Sequence, residues 1–158
     1  MPFLKERNAF VSPSSLGYVT IYDEQCDDGG LYPNEFAIAL SRQLNSLVFL
    51  VTVHDDDILY FDVFDNGLRK DKYDSCPNYF SEDDEDFHPP EGGNAQELCT
   101  LFGCNDRAVV ESVLYTTDEE SVIWLFATER HRALAELLHL QSFSVGFGYN
   151  YIAQGEVP

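Results

Sequence analysis

Apolar side chains recur along this chain at two spacings, and the switches between them mark out its elements. Gly17 to Asp23 alternates Tyr18, Thr20 and Tyr22 against Val19 and Ile21, the period of two expected of a half-buried strand. Before it, residues 1–16, with Ser12-Pro13-Ser14-Ser15 near their end, read as an N-terminal arm without regular structure. After an acidic, glycine-rich loop the period changes. Phe36, Leu40 and Leu44 fall every four residues, so they share one face of a helix over 33–45, and Pro33 sits in its first turn, where no N–H is needed. Leu47 to Val53 is a nearly continuous apolar run, as in a strand buried on both faces. Ile58 to Phe64 resumes as a strand, and Asp65-Asn66-Gly67 turns it tightly into a third over Leu68 to Tyr73.

The first half therefore reads β-α-β-β-β. Asp74 to Asn94, with four prolines or glycines among its last six residues and the acidic block 82–86, reads as a joint. Beyond it a short helix is expected over 94–102, ended by Gly103. The Val109, Val110, Val113, Leu114 spacing makes 105–115 lean helical. Ser121 to Ala127 favours a strand followed by a helix from Thr128 to about Leu138; the competing reading is one long helix opened by the capping box Thr117-x-x-Glu120. A last strand is expected over 143–152, interrupted at Gly146 and Gly148. The predicted fold class is α+β, a β-α-β-β-β half with meander hairpins packed against a smaller mixed α/β half. Periodicity leaves open whether 17–158 is one domain or two subdomains, 17–75 and 94–158, joined by the acidic loop 76–93.

Composition adds a constraint on partners. The 158 residues include 28 acidic and nine basic side chains, for a net charge of −19. Such a field repels nucleic-acid phosphates and anionic membranes, so direct binding to either is not expected; it favours basic proteins and cations. No apolar run reaches membrane-spanning length, and Met1 to Phe10 lacks a signal-peptide core. The four cysteines form no Cys-x-x-Cys pair and match no common zinc spacing. Together these features predict a cytoplasmic protein with free, mostly buried thiols and no disulfide.

Several segments, taken together, carry a likeness: Tyr22-Asp23-Glu24, His54-Asp55-Asp56-Asp57 leading to the Asp65-Asn66-Gly67 hairpin, Tyr73-Asp74-Ser75-Cys76-Pro77, Arg130-His131 opening an Ala- and Leu-rich helix, and Gly146-x-Gly148-Tyr149-x-Tyr151. Across most of 17–157 the chain resembles a group of small uncharacterised bacterial proteins. No activity is established for that group, so the resemblance implies nothing about mechanism.

Four places carry candidate chemistry. His54, Asp55 and Asp57, with Asp56 between them, offer oxygen and nitrogen ligands to a divalent cation, although adjacent carboxylates converge on one ion only through an unusual turn. A solvated hairpin turn is the plainer account. Arg130, His131 and Arg132 near a helix start suit a small anion, or else offset nearby acids. Glu82, Asp83, Asp84, Glu85 and Asp86 offer a basic partner a contact, or simply a solvated loop. Cys76 would be an activated thiol if His54 or His131 lay beside it, and otherwise a packing residue. Tyr18, Tyr22, Tyr149 and Tyr151 are expected on a shared sheet face. Gly146-x-Gly148 lacks the third glycine and following helix of a dinucleotide loop, and no Ser-His-Asp, phosphate-loop or His-Glu-x-x-His signature occurs. The expectation is a non-enzymatic binding or regulatory protein acting on a basic protein partner, without a cofactor. The alternative is a small metal-binding protein or hydrolase-type enzyme built on His54 and Asp55 to Asp57.

Overall fold

The computed structural model describes residues 7–27, 33–81, 88–116 and 126–157. In chain order the elements are β1 (Ala9–Val11), β2 (Ile21–Asp23), α1 (Glu24–Asp27), α2 (Pro33–Leu44), β3 (Leu47–His54), β4 (Ile58–Asp65), β5 (Leu68–Asp74), β6 (Glu91–Gly92), α3 (Ala95–Phe102), α4 (Arg107–Tyr115), α5 (Ala127–Leu137) and α6 (Tyr149–Ala153). The fold is α+β: β3-β4-β5-β6 form one antiparallel meander, and β1-β2 form a separate hairpin.

β4 is the centre of the molecule. Leu59, Phe61 and Val63 point to one face and are at most 2% exposed; Ile58 and Phe64 point to the other and are fully buried. On the Leu59 face, cross-strand pairs Phe49–Val63, Val51–Phe61 and Val53–Leu59 continue the apolar surface. Leu98 and Phe102 of α3, Val110, Val113 and Leu114 of α4, and Leu134 of α5 close over it. The largest buried cluster thus draws on both halves of the chain. α2 lies against β3 and β4, and its Ser41 is fully buried there. The Ser41 hydroxyl donates to the Ser46 carbonyl (2.7 Å) and accepts from the Gly67 N–H (3.1 Å), tying the helix end to the β4–β5 turn. Burying each large apolar side chain stabilises the fold by roughly 1.5–3 kcal/mol.

Several expectations are corrected. The N-terminal segment is not wholly irregular: Ala9, Phe10 and Val11 pair with Asp23, Tyr22 and Ile21. The strand expected from Gly17 begins only at Ile21. The loop between, 12–20, is organised by one distant side chain. Gln141, 5% exposed, donates to the carbonyls of Pro13, Ser15 and Tyr18 and accepts from the hydroxyls of Ser12 and Thr20. The last strand is instead a 3-10 turn at Ser142–Ser144 followed by α6. Gly148 precedes that helix because Asp27 lies too close to admit a side chain: an added Cβ would sit 2.0 Å from its Oδ1. Tyr149 and Tyr151 therefore lie on a helix rather than a sheet, and Tyr149 packs on Phe10 with ring centroids 5.0 Å apart.

The thiol expectation is also corrected, because Cys99 and Cys104 form a disulfide. Gly103 ends α3 in the left-handed conformation (φ 73°), turning the chain back so that the two Cα atoms lie 4.4 Å apart. Finally, Ala127 belongs to α5 rather than to a strand. Residues 121–125 and the Thr117-x-x-Glu120 box lie outside the described residues, as does the acidic block Glu82, Asp83, Asp84, Glu85 and Asp86.

Candidate functional site

The turn from β3 into β4 holds the acidic cluster, and its geometry separates the four side chains. Asp55 (φ 50°) and Asp56 (φ 62°) both adopt the left-handed conformation that aspartate tolerates better than most residues, and the Asp57 N–H closes the turn on the His54 carbonyl (3.0 Å). Consecutive side chains then leave in different directions.

Asp56 faces inward and is structural. Its Oδ1 accepts from the Thr128 N–H (2.8 Å) and its carbonyl from the Ala127 N–H (2.8 Å), so it caps α5 from another part of the chain. This replaces the expected cap by Thr128: α5 begins earlier, and Phe126 at its N-cap has no side chain able to do the work. Asp55 faces outward, its side chain 76% exposed and its Oδ2 3.4 Å from His54 Nε2. Asp57 accepts from the Tyr79 hydroxyl (3.0 Å), which raises the pKa of that phenol.

Two successive turns after β5 place Tyr79 and Phe80 beside His54. The Tyr79 N–H bonds the Cys76 carbonyl (3.2 Å) and the Ser81 N–H bonds the Asn78 carbonyl (2.9 Å). The His54 ring meets Phe80 at 5.1 Å and Tyr79 at 6.1 Å, both edge-on, and the two aromatic rings meet each other at 5.1 Å. Phe80 is 66% exposed. The result is a surface of aromatic faces and carboxylates at one end of the sheet. Aromatic rings and carboxylates both attract an ammonium or guanidinium group.

The expected anion site does not assemble in this way. Arg130, His131 and Arg132 follow one another on α5 and so diverge. Arg130 is buried, and its guanidinium donates to the Tyr73 hydroxyl and to the Leu114 (3.2 Å) and Thr116 (2.9 Å) carbonyls. These carbonyls end α4, where the helix dipole favours a cation. Burial still pushes the Tyr73 phenol up to about 12, against the pull of Arg130. His131 is buried, with Nδ1 lacking a hydrogen-bond partner; burial, reinforced by Arg132, lowers its pKa to about 4. Arg132 is exposed. The three share no anion site; Arg130 is spent on α4 and His131 is held neutral.

His54 and Asp55 approach each other, but Asp57 is engaged by Tyr79, and no three metal-ligating side chains converge among the described residues. Neither free thiol is activated. Burial and Asp74 raise Cys76, while burial pushes Cys26 up to about 11 despite Arg7. A cleft of about 310 Å³ lies between β5, Gly92–Gly93 and α4, lined in part by Asp71, Arg107, Glu111 and Tyr115. Its polar groups satisfy one another: Asp71 accepts from the Asn94 N–H, Tyr115 donates to the glycine carbonyls, and Arg107 reaches Gln96 and Glu111.

Searches of protein-family models, curated proteins and solved structures find no match to this chain. Any functional reading therefore rests on the chain's own chemistry. Among the described residues no helix is long and apolar enough to cross a membrane. The sequence reading identified His54, Asp55 and Asp57 but missed Tyr79 and Phe80. The available signal was two adjacent aromatics, with no apolar neighbours, in a segment of Pro, Asn and Ser.

Proposed function

We propose that this protein is a non-enzymatic binding protein for a basic protein partner, engaged at His54, Asp55, Asp57, Tyr79 and Phe80. The observation that supports it is the exposed aromatic pair held against outward-facing carboxylates on a chain of net charge −19. Charge speeds the encounter and makes it salt-sensitive; the rings supply area that a bare acidic loop lacks. The Glu82–Asp86 block follows Phe80 closely in sequence.

The test is calorimetric titration with a lysine- and arginine-rich peptide at low salt and at about 1 M, where the Debye length falls to ~3 Å. Binding should weaken by more than about tenfold between the two. The Asp55→Asn/Asp57→Asn pair and Phe80→Ala should each weaken it at low salt. Glu136→Gln/Glu156→Gln, with the same change in net charge elsewhere, should not. Equal losses in the two charge-matched pairs would reduce the effect to diffuse electrostatics and defeat the proposed site.

A further inference from the structure

We propose that the outer edge of β3 takes up an extended segment of the basic partner as an added strand, an inference that rests on the basic-partner reading above. The Leu59 N–H donates to Ser75 Oγ (2.9 Å) and the Leu59 carbonyl accepts from the Ser75 N–H (3.0 Å), so the main chain of Leu59 faces β5. By the two-residue period, Ile58, Tyr60, Asp62 and Phe64 face β3, where they pair with His54, Thr52, Leu50 and Val48. The N–H and C=O groups of Leu47, Phe49, Val51 and Val53 therefore point away from β4. Among the described residues no strand pairs with that edge.

Exposed edges are normally guarded by charges, proline, glycine bulges or shortness. Leu47 to Val53 has none of these: no charged residue, no proline or glycine, and an unbroken register over all eight pairs from Leu47–Asp65 to His54–Ile58. At ~3.3 Å per residue the edge offers a template about 26 Å long. Its C-terminal end, His54, is also part of the acidic and aromatic surface. An incoming strand would thus make main-chain bonds along β3 and reach Asp55, Asp57 and Phe80 with basic side chains. Charge selects this occupant over a second copy of the chain, because two bodies of net charge −19 repel. Main-chain pairing supplies affinity and the acidic end supplies selectivity, the usual division in strand addition.

The probe is a blocked peptide of about twelve residues alternating lysine with threonine or valine, long enough to span the edge. Two measurements are made: amide exchange of Phe49, Val51 and Val53 with and without peptide, and affinity for peptides N-methylated at one central residue at a time. The expected result is fast exchange of the three amides in the free protein and slowing on saturation. Methylation at alternate positions should weaken binding about fivefold or more, the effect of one lost main-chain bond. If the parent peptide binds but all methylated forms stay within twofold, strand addition fails while the basic-partner reading stands. If no basic peptide binds, that reading fails first. Slow exchange in the free protein would mean the edge is already paired and would overturn the proposal: a concentration-dependent effect assigns it to a second copy, a concentration-independent one to the chain itself.

Discussion

Asp56 and Asp55 are adjacent, both acidic and both left-handed, yet only Asp56 touches a helix, so comparing them isolates the cap. Replacing Asp56 by alanine removes the acceptor for the Thr128 N–H, which costs about 1 kcal/mol for a lost N-cap. It also removes a negative charge at the start of α5, worth about 0.5 kcal/mol more. Alanine at positive φ adds roughly 1 kcal/mol. Asp55→Ala incurs the same backbone term and loses only an exposed contact with His54, worth about 0.5 kcal/mol at most. Asp56→Ala should therefore unfold about 2.5 kcal/mol more easily than the parent, and Asp55→Ala about 1–1.5. Asp56→Asn keeps an oxygen acceptor and tolerates the turn, so it should lose only about 0.5 kcal/mol. Urea unfolding followed by far-ultraviolet circular dichroism and by fluorescence measures all three on one scale. If the two alanine variants agree within ~0.3 kcal/mol, the cap contributes nothing and the structural role given to Asp56 is wrong.

Two further outcomes follow from buried groups. His131, at about 4 in the folded protein against ~6.5 when unfolded, is protonated more readily in the unfolded chain, so its contribution is present above pH ~6.5 and lost as pH falls towards 4. Relative to His131→Leu, the parent should lose about 3 kcal/mol between pH 7 and pH 4; parallel stability curves would show that the ring is not held neutral. The Cys99–Cys104 disulfide closes a short loop, so Cys104→Ser should lower stability by about 2 kcal/mol in non-reducing buffer, with no difference from the parent under reduction. Equal stability in both buffers would mean the bond adds nothing beyond what Gly103 already secures.

The parts of the fold legible in the sequence are those fixed by neighbours in the chain. Asn66-Gly67 dictates its turn locally, and the β3-β4-β5 meander follows; α3 is written in its apolar spacing and in Gly103, whereas α2 is legible as a helix but buries Ala37 and Ser41, leaving Leu44 of the expected apolar face 61% exposed. The rest depends on contacts made at long range. Ala9 to Val11 is too short to show a period, and it is a strand because Ile21 to Asp23 lies opposite. In the sequence Gly146 and Gly148 look like interruptions in a strand, whereas Gly148 is small because Asp27 occupies the space beside it. At the candidate site the composition of the acidic turn was plain, but the division of labour was not. One of its carboxylates belongs to α5, and Arg130, adjacent in sequence to His131 and Arg132, belongs to the end of α4, because the helix ends they serve come from distant segments.

Gln141 has a consequence for how the chain is made. Its contact with Thr20 spans 121 positions, and its five side-chain hydrogen bonds all reach back into residues 12–20. At ~5–20 residues per second, a ribosome takes roughly 6–24 s to travel from one to the other. Throughout that interval the Ser12–Thr20 loop has been synthesised without the residue that fastens it. The Ser12–Thr20 loop is therefore secured long after it is made, and any factor that attends the nascent chain meets that loop still waiting for its clasp.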